Sequence, residues 1–157
     1  MRRTCLLLSL AAVLWGHACP ASADADELRR NVFDDPFVQL TRALPACPVP
    51  EGPLLTEAEA RAQAHGRIER GTSCFRAGRC RLPNSYLYDK ELMPRVQKAV
   101  DADGRFSGTT SVWAWGQRRW IWLQGCVGSE AESQALESLV RGIDDVEGVV
   151  NELKVVP

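Results

Sequence analysis

The stretch TTSVWAWGQRRWIWLQGCV, residues 109–127, decides the fold of this chain. It is rich in β-branched and aromatic residues, which favour strands over helices. Two strands are predicted, one from Thr109 to Trp115 and one from Trp120 to Val127. The four residues from Gly116 to Arg119 lie between them and form a turn. The stretch therefore predicts a β-hairpin.

The two faces of this hairpin carry different side chains, because side chains alternate along a strand. Trp115 is expected to pair with Trp120 across the turn, and Trp113 with Trp122. One face carries Val112, Ala114, Ile121, Leu123 and Val127. The other face carries Trp113, Trp115, Trp120, Trp122 and Cys126.

Helical patterns flank the hairpin on both sides. Apolar residues recur at helical spacing from Asp89 to about Asp103, with Pro94 expected in the first turn. Ser129 and Glu132 form a capping box that opens a second helix. Residues 149–156 predict a third strand. The order αββαβ indicates the α+β class, with a three-stranded sheet and two helices on one face.

Three motifs follow the strands of this pattern: V-x-A at 112–114, I-x-L-x-G-x-V at 121–127, and V-x-x-V-V-N-x-L-x-V at 146–155. With these motifs in this order, residues 89–157 resemble a BON domain. Cys126 departs from the family pattern. The resemblance implies a non-catalytic domain of the bacterial cell envelope that binds phospholipid surfaces or other envelope components. It assigns no catalytic residue, and it implies that Gly125 allows a close approach of backbones in the sheet.

Residues 1–23 have the pattern of a signal peptide, namely a basic start, an apolar run and the small residues of 21–23. Export to the periplasm is therefore expected, with the mature chain beginning at Asp24. A lipid anchor on Cys19 is not expected, because Gly16 stands where lipoprotein signals usually carry leucine. The remaining 17 basic and 20 acidic residues give a net charge of −3. Such a balance does not favour nucleic-acid binding.

Residues 24–88 form an N-terminal extension to this domain. A short helix is predicted from Asp35 to Leu44, and the prolines of residues 45–53 end it. A second helix is predicted from Glu57 to about Glu69, with Gly71 as its end. The extension is thus expected to be mainly helical.

Four cysteines remain after the predicted signal peptide, and an even number in an exported chain indicates disulfides. Zinc is disfavoured because the closest spacing exceeds the usual C-x2–4-C. Three pairings are open, and each tethers the C-terminal domain to the extension. A bond from Cys47 to Cys74 is least favoured, since a helix spans roughly 22 Å between them. The four are Cys47, Cys74, Cys80 and Cys126.

The tryptophan face has two interpretations. The extension folds across it, held by a disulfide from Cys126, or the tryptophans bind a membrane interface, where indole rings are enriched. Arginines near the cysteines and at the hairpin tip either contact anionic head groups or are solvated and paired with acids. Besides Arg67 and Arg70, these are Arg76, Arg79, Arg81, Arg118 and Arg119.

No motif of an enzyme is present in the sequence, and His65 is expected on the surface. The sequence therefore predicts a non-catalytic envelope module that binds phospholipid membrane. The alternative is a structural protein–protein interaction module of the periplasm or outer membrane whose tryptophan face is covered. No metal, cofactor, nucleic acid or small-molecule substrate is expected.

Overall fold

The computed structural model describes residues 28–156, so the predicted signal peptide lies outside the described residues. No helix within this range is long and apolar enough to cross a membrane. The elements are β1 (Phe37–Gln39), α1 (Glu57–Arg76), a 3₁₀ turn (Ser85–Tyr88), α2 (Asp89–Asp103), β2 (Ser111–Gln117), β3 (Trp120–Val127), α3 (Glu130–Arg141) and β4 (Gly148–Val155).

The four strands form one sheet in the order β1-β2-β3-β4. β1 and β3 both run antiparallel to β2, whereas β4 runs parallel to β3. A parallel pair needs a crossover connection, which α3 supplies. The helices α2 and α3 cover one face of the sheet. The core between them contains Leu92, Val96, Val112, Ile121, Leu123, Leu136 and Val140, all fully buried.

The mixed α+β class is confirmed, but the sheet has four strands instead of the predicted three. The helix predicted over residues 35–44 is wrong, because Phe37–Gln39 forms β1. The N–H groups of Leu40 and Ala43 donate to the carbonyls of Val112 and Thr110, which extends this attachment to β2. Pairing with the free edge of the hairpin outweighs the local helical preference, as tertiary context often does.

The helix α1 begins at the predicted capping box of Thr56 and Glu59 but continues past Gly71 to Arg76. Gly71 therefore does not end the helix. A Cβ atom at Gly71 would lie 2.6 Å from Asn84 Oδ1, and the carbonyl of Gly71 accepts a 3.1 Å hydrogen bond from Ser85. The glycine allows the loop before α2 to pack closely against α1.

The hairpin is tighter than predicted. β2 extends to Gln117, so Arg118 and Arg119 alone form the turn, with φ angles of 54° and 70°. This left-handed pair is the geometry of a two-residue hairpin turn. The predicted tryptophan pairs are therefore wrong. The observed cross-strand pairs are Trp113 with Gln124, Trp115 with Trp122, and Gln117 with Trp120.

The helix α2 starts at Asp89, which places Pro94 at its sixth position, beyond the first turn where it was predicted. The 3₁₀ turn leads directly into α2 and buries Tyr88, whose side chain is 1% exposed. The N–H groups of Arg81 and Leu82 donate to the hydroxyl of Tyr88. These contacts fasten the end of the extension to the start of α2.

Candidate functional site: a groove of tryptophan and arginine

The four hairpin tryptophans lie on the sheet face opposite α2 and α3, and none of them is exposed. Trp113 is 7% exposed, and the other three are half-buried. Trp115 and Trp122 stack, with ring centroids 4.1 Å apart and an angle of 13° between their planes. Such a stack presents a broad aromatic surface on this face of the sheet.

The extension covers one half of this face. Phe37 of β1 lies opposite Trp115, and the backbone of Gly52 packs against the Phe37 ring, where an added Cβ would lie 3.1 Å from ring atoms. A disulfide joins Cys47 of the same loop to Cys126 of β3. Cys126 is 3% exposed. Trp113 and Trp115 are therefore on the covered side.

The structure also selects one of the three disulfide pairings. Cys47 bonds to Cys126, and Cys74 bonds to Cys80 within the extension. The first bond spans 79 residues and tethers the extension to β3, whereas the second spans only 6.

The other half of the face is open and forms a cavity of about 350 Å³, which we call the Trp–Arg groove. α1 contributes an arginine to it, the 3₁₀ turn a tyrosine, and the hairpin turn a second arginine. Neither arginine forms an ion pair with any residue in 28–156. The groove is lined by Arg70, Tyr86, Gln117, Arg118, Trp120, Trp122 and Val150.

Tyr86 is held in place by a buried ion pair. Arg67 binds the carboxylate of Asp35 through two hydrogen bonds of 2.9 and 2.5 Å. Its guanidinium lies between the rings of Tyr86 and Phe33, with 4.1 Å to each centroid. Asp35 also accepts a 3.3 Å hydrogen bond from Gln117. One carboxylate thus fixes residues on two walls of the groove.

A second buried carboxylate fixes the hairpin turn. Asp89, at the start of α2, accepts hydrogen bonds of 2.6 and 2.7 Å from the backbone N–H groups of Arg118 and Arg119. Burial raises the pKa of Asp89 to about 6, against the opposing effect of these two hydrogen bonds. Its two oxygens hold both left-handed residues of the turn and so position Arg118 at the groove.

The floor of the groove is shaped by a glycine of β4. A Cβ atom at Gly148 would lie 2.7 Å from the ring of Trp120, so the indole rests directly on the β4 backbone. On α1, a Cβ at Gly66 would lie 3.1 Å from Arg70 Nη2, so the Arg70 side chain lies back along its own helix.

The structure keeps most of the arginines that the sequence grouped together out of the Trp–Arg groove. Arg119 turns away from the groove to Glu147, at 3.0 Å, and to the Asp145 carbonyl. Arg81 forms ion pairs with Glu91 and Asp145. Arg76 and Arg79 are exposed beyond the groove. Arg79 lines a smaller cavity of about 40 Å³ together with Arg118 and Arg119.

Of the five arginines predicted as contacts, only Arg118 lines the groove. The sequence groups Arg70 with the arginines near the cysteines but does not bring it to the tryptophans. It assigns Tyr86 no role in a site. Both contacts depend on how α1 packs beside the hairpin, and no local sequence pattern reports that packing.

No group of three or more potential ligands in residues 28–156 could hold a metal ion. His65 is exposed on α1 beside Glu69, away from the groove. The groove offers aromatic surface and guanidinium donors, which suit the binding of an anionic group.

The described residues define an α+β domain with two helices on one face of its sheet and a cationic, aromatic groove on the other. Residues 89–157 match the family model of the BON domain, and the chain therefore contains a BON domain, as its sequence predicts. Domains of this family are in general non-catalytic and associated with phospholipid membranes. Searches of the curated proteins and of the solved structures gave no match to this chain.

Proposed function

We propose that this protein is a non-catalytic module of the bacterial cell envelope that binds phospholipid head groups at the Trp–Arg groove. One observation carries the proposal. Arg70 and Arg118 line the same groove as Trp120 and Trp122, and neither guanidinium forms an ion pair with an acid among residues 28–156.

The chemistry of the groove matches a head group at a membrane interface. A guanidinium binds phosphate oxygens through paired hydrogen bonds. Indole rings favour the interface, where the ring is buried while its N–H stays hydrated. A cavity of about 350 Å³ is within the usual size range of small-molecule sites. These features together favour an anionic phospholipid as the ligand.

A periplasmic location is part of this proposal. The two disulfides are consistent with an oxidising compartment outside the cytoplasm. The signal-peptide pattern of residues 1–23 supports the same compartment, with Cys19 not serving as a lipid anchor.

Vesicle co-sedimentation tests the proposal. The mature, oxidised protein is mixed with vesicles of phosphatidylcholine alone or with added phosphatidylglycerol, at low and at high salt. We expect pelleting only with the anionic vesicles, and less of it at high salt. Each arginine near an anionic surface contributes about 1 kcal/mol, so the double variant Arg70→Gln with Arg118→Gln should bind roughly thirtyfold more weakly.

The matched control is Arg61→Gln. Arg61 is also an exposed arginine of α1, and its one ion pair within residues 28–156 is with Glu57 of the same helix. It is absent from the groove lining. This control should bind like the unchanged protein. Absence of pelleting under every condition, or equal losses in the control and the double variant, would contradict a head-group site in the groove.

The second candidate function is a structural protein–protein interaction module of the envelope. It is favoured by the burial of Trp113, which is 7% exposed, and by the position of the extension on this side of the face, where Phe37 lies opposite Trp115 and Cys47 bonds to Cys126. This function predicts a saturable complex with an envelope protein that forms without lipid and is unaffected by phosphatidylglycerol.

A further inference from the structure

One edge of the sheet is open along the whole length of β4. β4 is the last strand in the sheet order, and its outer side pairs with no residue in 28–156. It has eight residues, whereas the strand at the opposite edge, β1, has three. A long unpaired edge presents backbone donors and acceptors that can pair with another strand.

Two opposite charges stand two positions apart on this strand. Glu152 and Lys154 are both exposed and lie on the same sheet face as Gln124 and Cys126, their β3 partners. Neither forms an ion pair with a described residue. Glu152 accepts one hydrogen bond of 2.7 Å from Gln124 of β3, which turns its carboxylate toward β3 in the single chain, so pairing with a second copy exchanges this bond for one across the edge.

This spacing makes β4 complementary to itself. In an antiparallel pair with a two-fold axis at Leu153, Glu152 faces the second copy's Lys154, and Lys154 faces the second copy's Glu152. On the opposite face the two Leu153 side chains meet. Opposite charges and apolar residues placed directly across a strand pair are both stabilising. A two-fold contact of this kind uses the same surface on each partner and is closed.

We propose that a second copy of this chain pairs antiparallel with β4, centred on Leu153, and joins the two sheets edge to edge. Residues 151–155 of each copy overlap over about 17 Å. In the single chain the N–H of Leu153 donates to Asn151 Oδ1 at 3.1 Å, so this donor is satisfied before association. The dimer is therefore reversible and depends on concentration.

Sedimentation equilibrium of the mature, oxidised protein over a range of concentrations tests this pairing. We expect a monomer–dimer equilibrium that weakens with salt. Glu152→Lys and Lys154→Glu each replace both attractive pairs by repulsive ones, so each variant should dimerise about tenfold more weakly or worse. Lys98→Glu, a charge reversal at an exposed position of α2, is the control and should dimerise normally.

Mixing provides the decisive arm of the experiment. Combining Glu152→Lys protein with Lys154→Glu protein restores both charge pairs, so the mixture should form a heterodimer at concentrations at which each variant alone is mostly monomeric. The double swap within one chain should restore the homodimer. A monomer at every concentration, or a dimer that responds equally to the control and to the β4 variants, would overturn the proposal.

Discussion

Removing the Cys47–Cys126 disulfide should cost far more stability than removing Cys74–Cys80. The two bonds close loops of different length, with sequence separations of 79 and 6 residues. A crosslink stabilises mainly by restricting the unfolded chain, and this effect grows with the logarithm of loop length. That relation gives about 4.5 kcal/mol for the longer loop and about 2.4 kcal/mol for the shorter one.

The perturbation is the double variant Cys47→Ala with Cys126→Ala, compared with Cys74→Ala and Cys80→Ala. Alanine avoids placing an unpaired polar group at position 126, which is 3% exposed. Urea unfolding followed by tryptophan fluorescence gives the free energy of unfolding for each protein. We expect the first variant to be the less stable by about 2 kcal/mol.

The same variants report on the cover of the tryptophan face. Without the Cys47 bond, the loop that packs Gly52 against Phe37 is held by non-covalent contacts alone. Acrylamide should therefore quench tryptophan fluorescence more strongly in the Cys47→Ala and Cys126→Ala variant than in the other. Equal stability of the two variants, or a greater loss from the short-loop bond, would refute the loop-length reasoning.

Two further changes test the turn and the sheet. Burial raises the pKa of Asp89 in the folded protein to about 6, from an ordinary 3.8. The folded protein therefore binds this proton more tightly than the unfolded chain does, and the resulting stabilisation is fully present below about pH 4. It is lost as the pH rises through 6. The free energy of unfolding of Asp89→Asn minus that of the unchanged protein should rise by about 2 kcal/mol between pH 4 and 7, and a flat difference would contradict it. Gly125 has a φ angle of 122°, and an added Cβ would lie 2.2 Å from the Ser111 carbonyl oxygen, so Gly125→Ala should destabilise by several kcal/mol in urea unfolding. The matched change Gly108→Ala, which meets no atom within 4 Å, should have little effect.

The elements of residues 89–156 could be predicted because their signals are local. The strand β3 is observed from Trp120 to Val127, as its composition predicts. Ser129 caps α3 by accepting a hydrogen bond from the N–H of Glu132, whereas the Glu132 carboxylate accepts from the N–H of Gly128 in place of Ser129, so half of the predicted capping box is observed. In each case, residues within a few positions of one another determine the conformation.

The extension and the groove could not be predicted in the same way. β1 exists because β2 offers an unpaired edge about 75 residues further along the chain, and nothing in residues 35–44 signals that partner. The exact hairpin turn depends on Asp89, a buried carboxylate on another element. Arg70 lines the same cavity as Trp120 only because α1 packs against the 3₁₀ turn. All three depend on tertiary packing.

The Cys47–Cys126 bond also determines what a protease can do to this protein. It encloses residues 48–125 in one covalent ring, and this ring contains α1, α2, β2 and most of β3. A single cut of the backbone anywhere inside it leaves both pieces joined through sulfur. A protein cut once within this ring would therefore keep the covered and the open halves of its aromatic face joined. They would separate only after a reductant had also broken the buried disulfide.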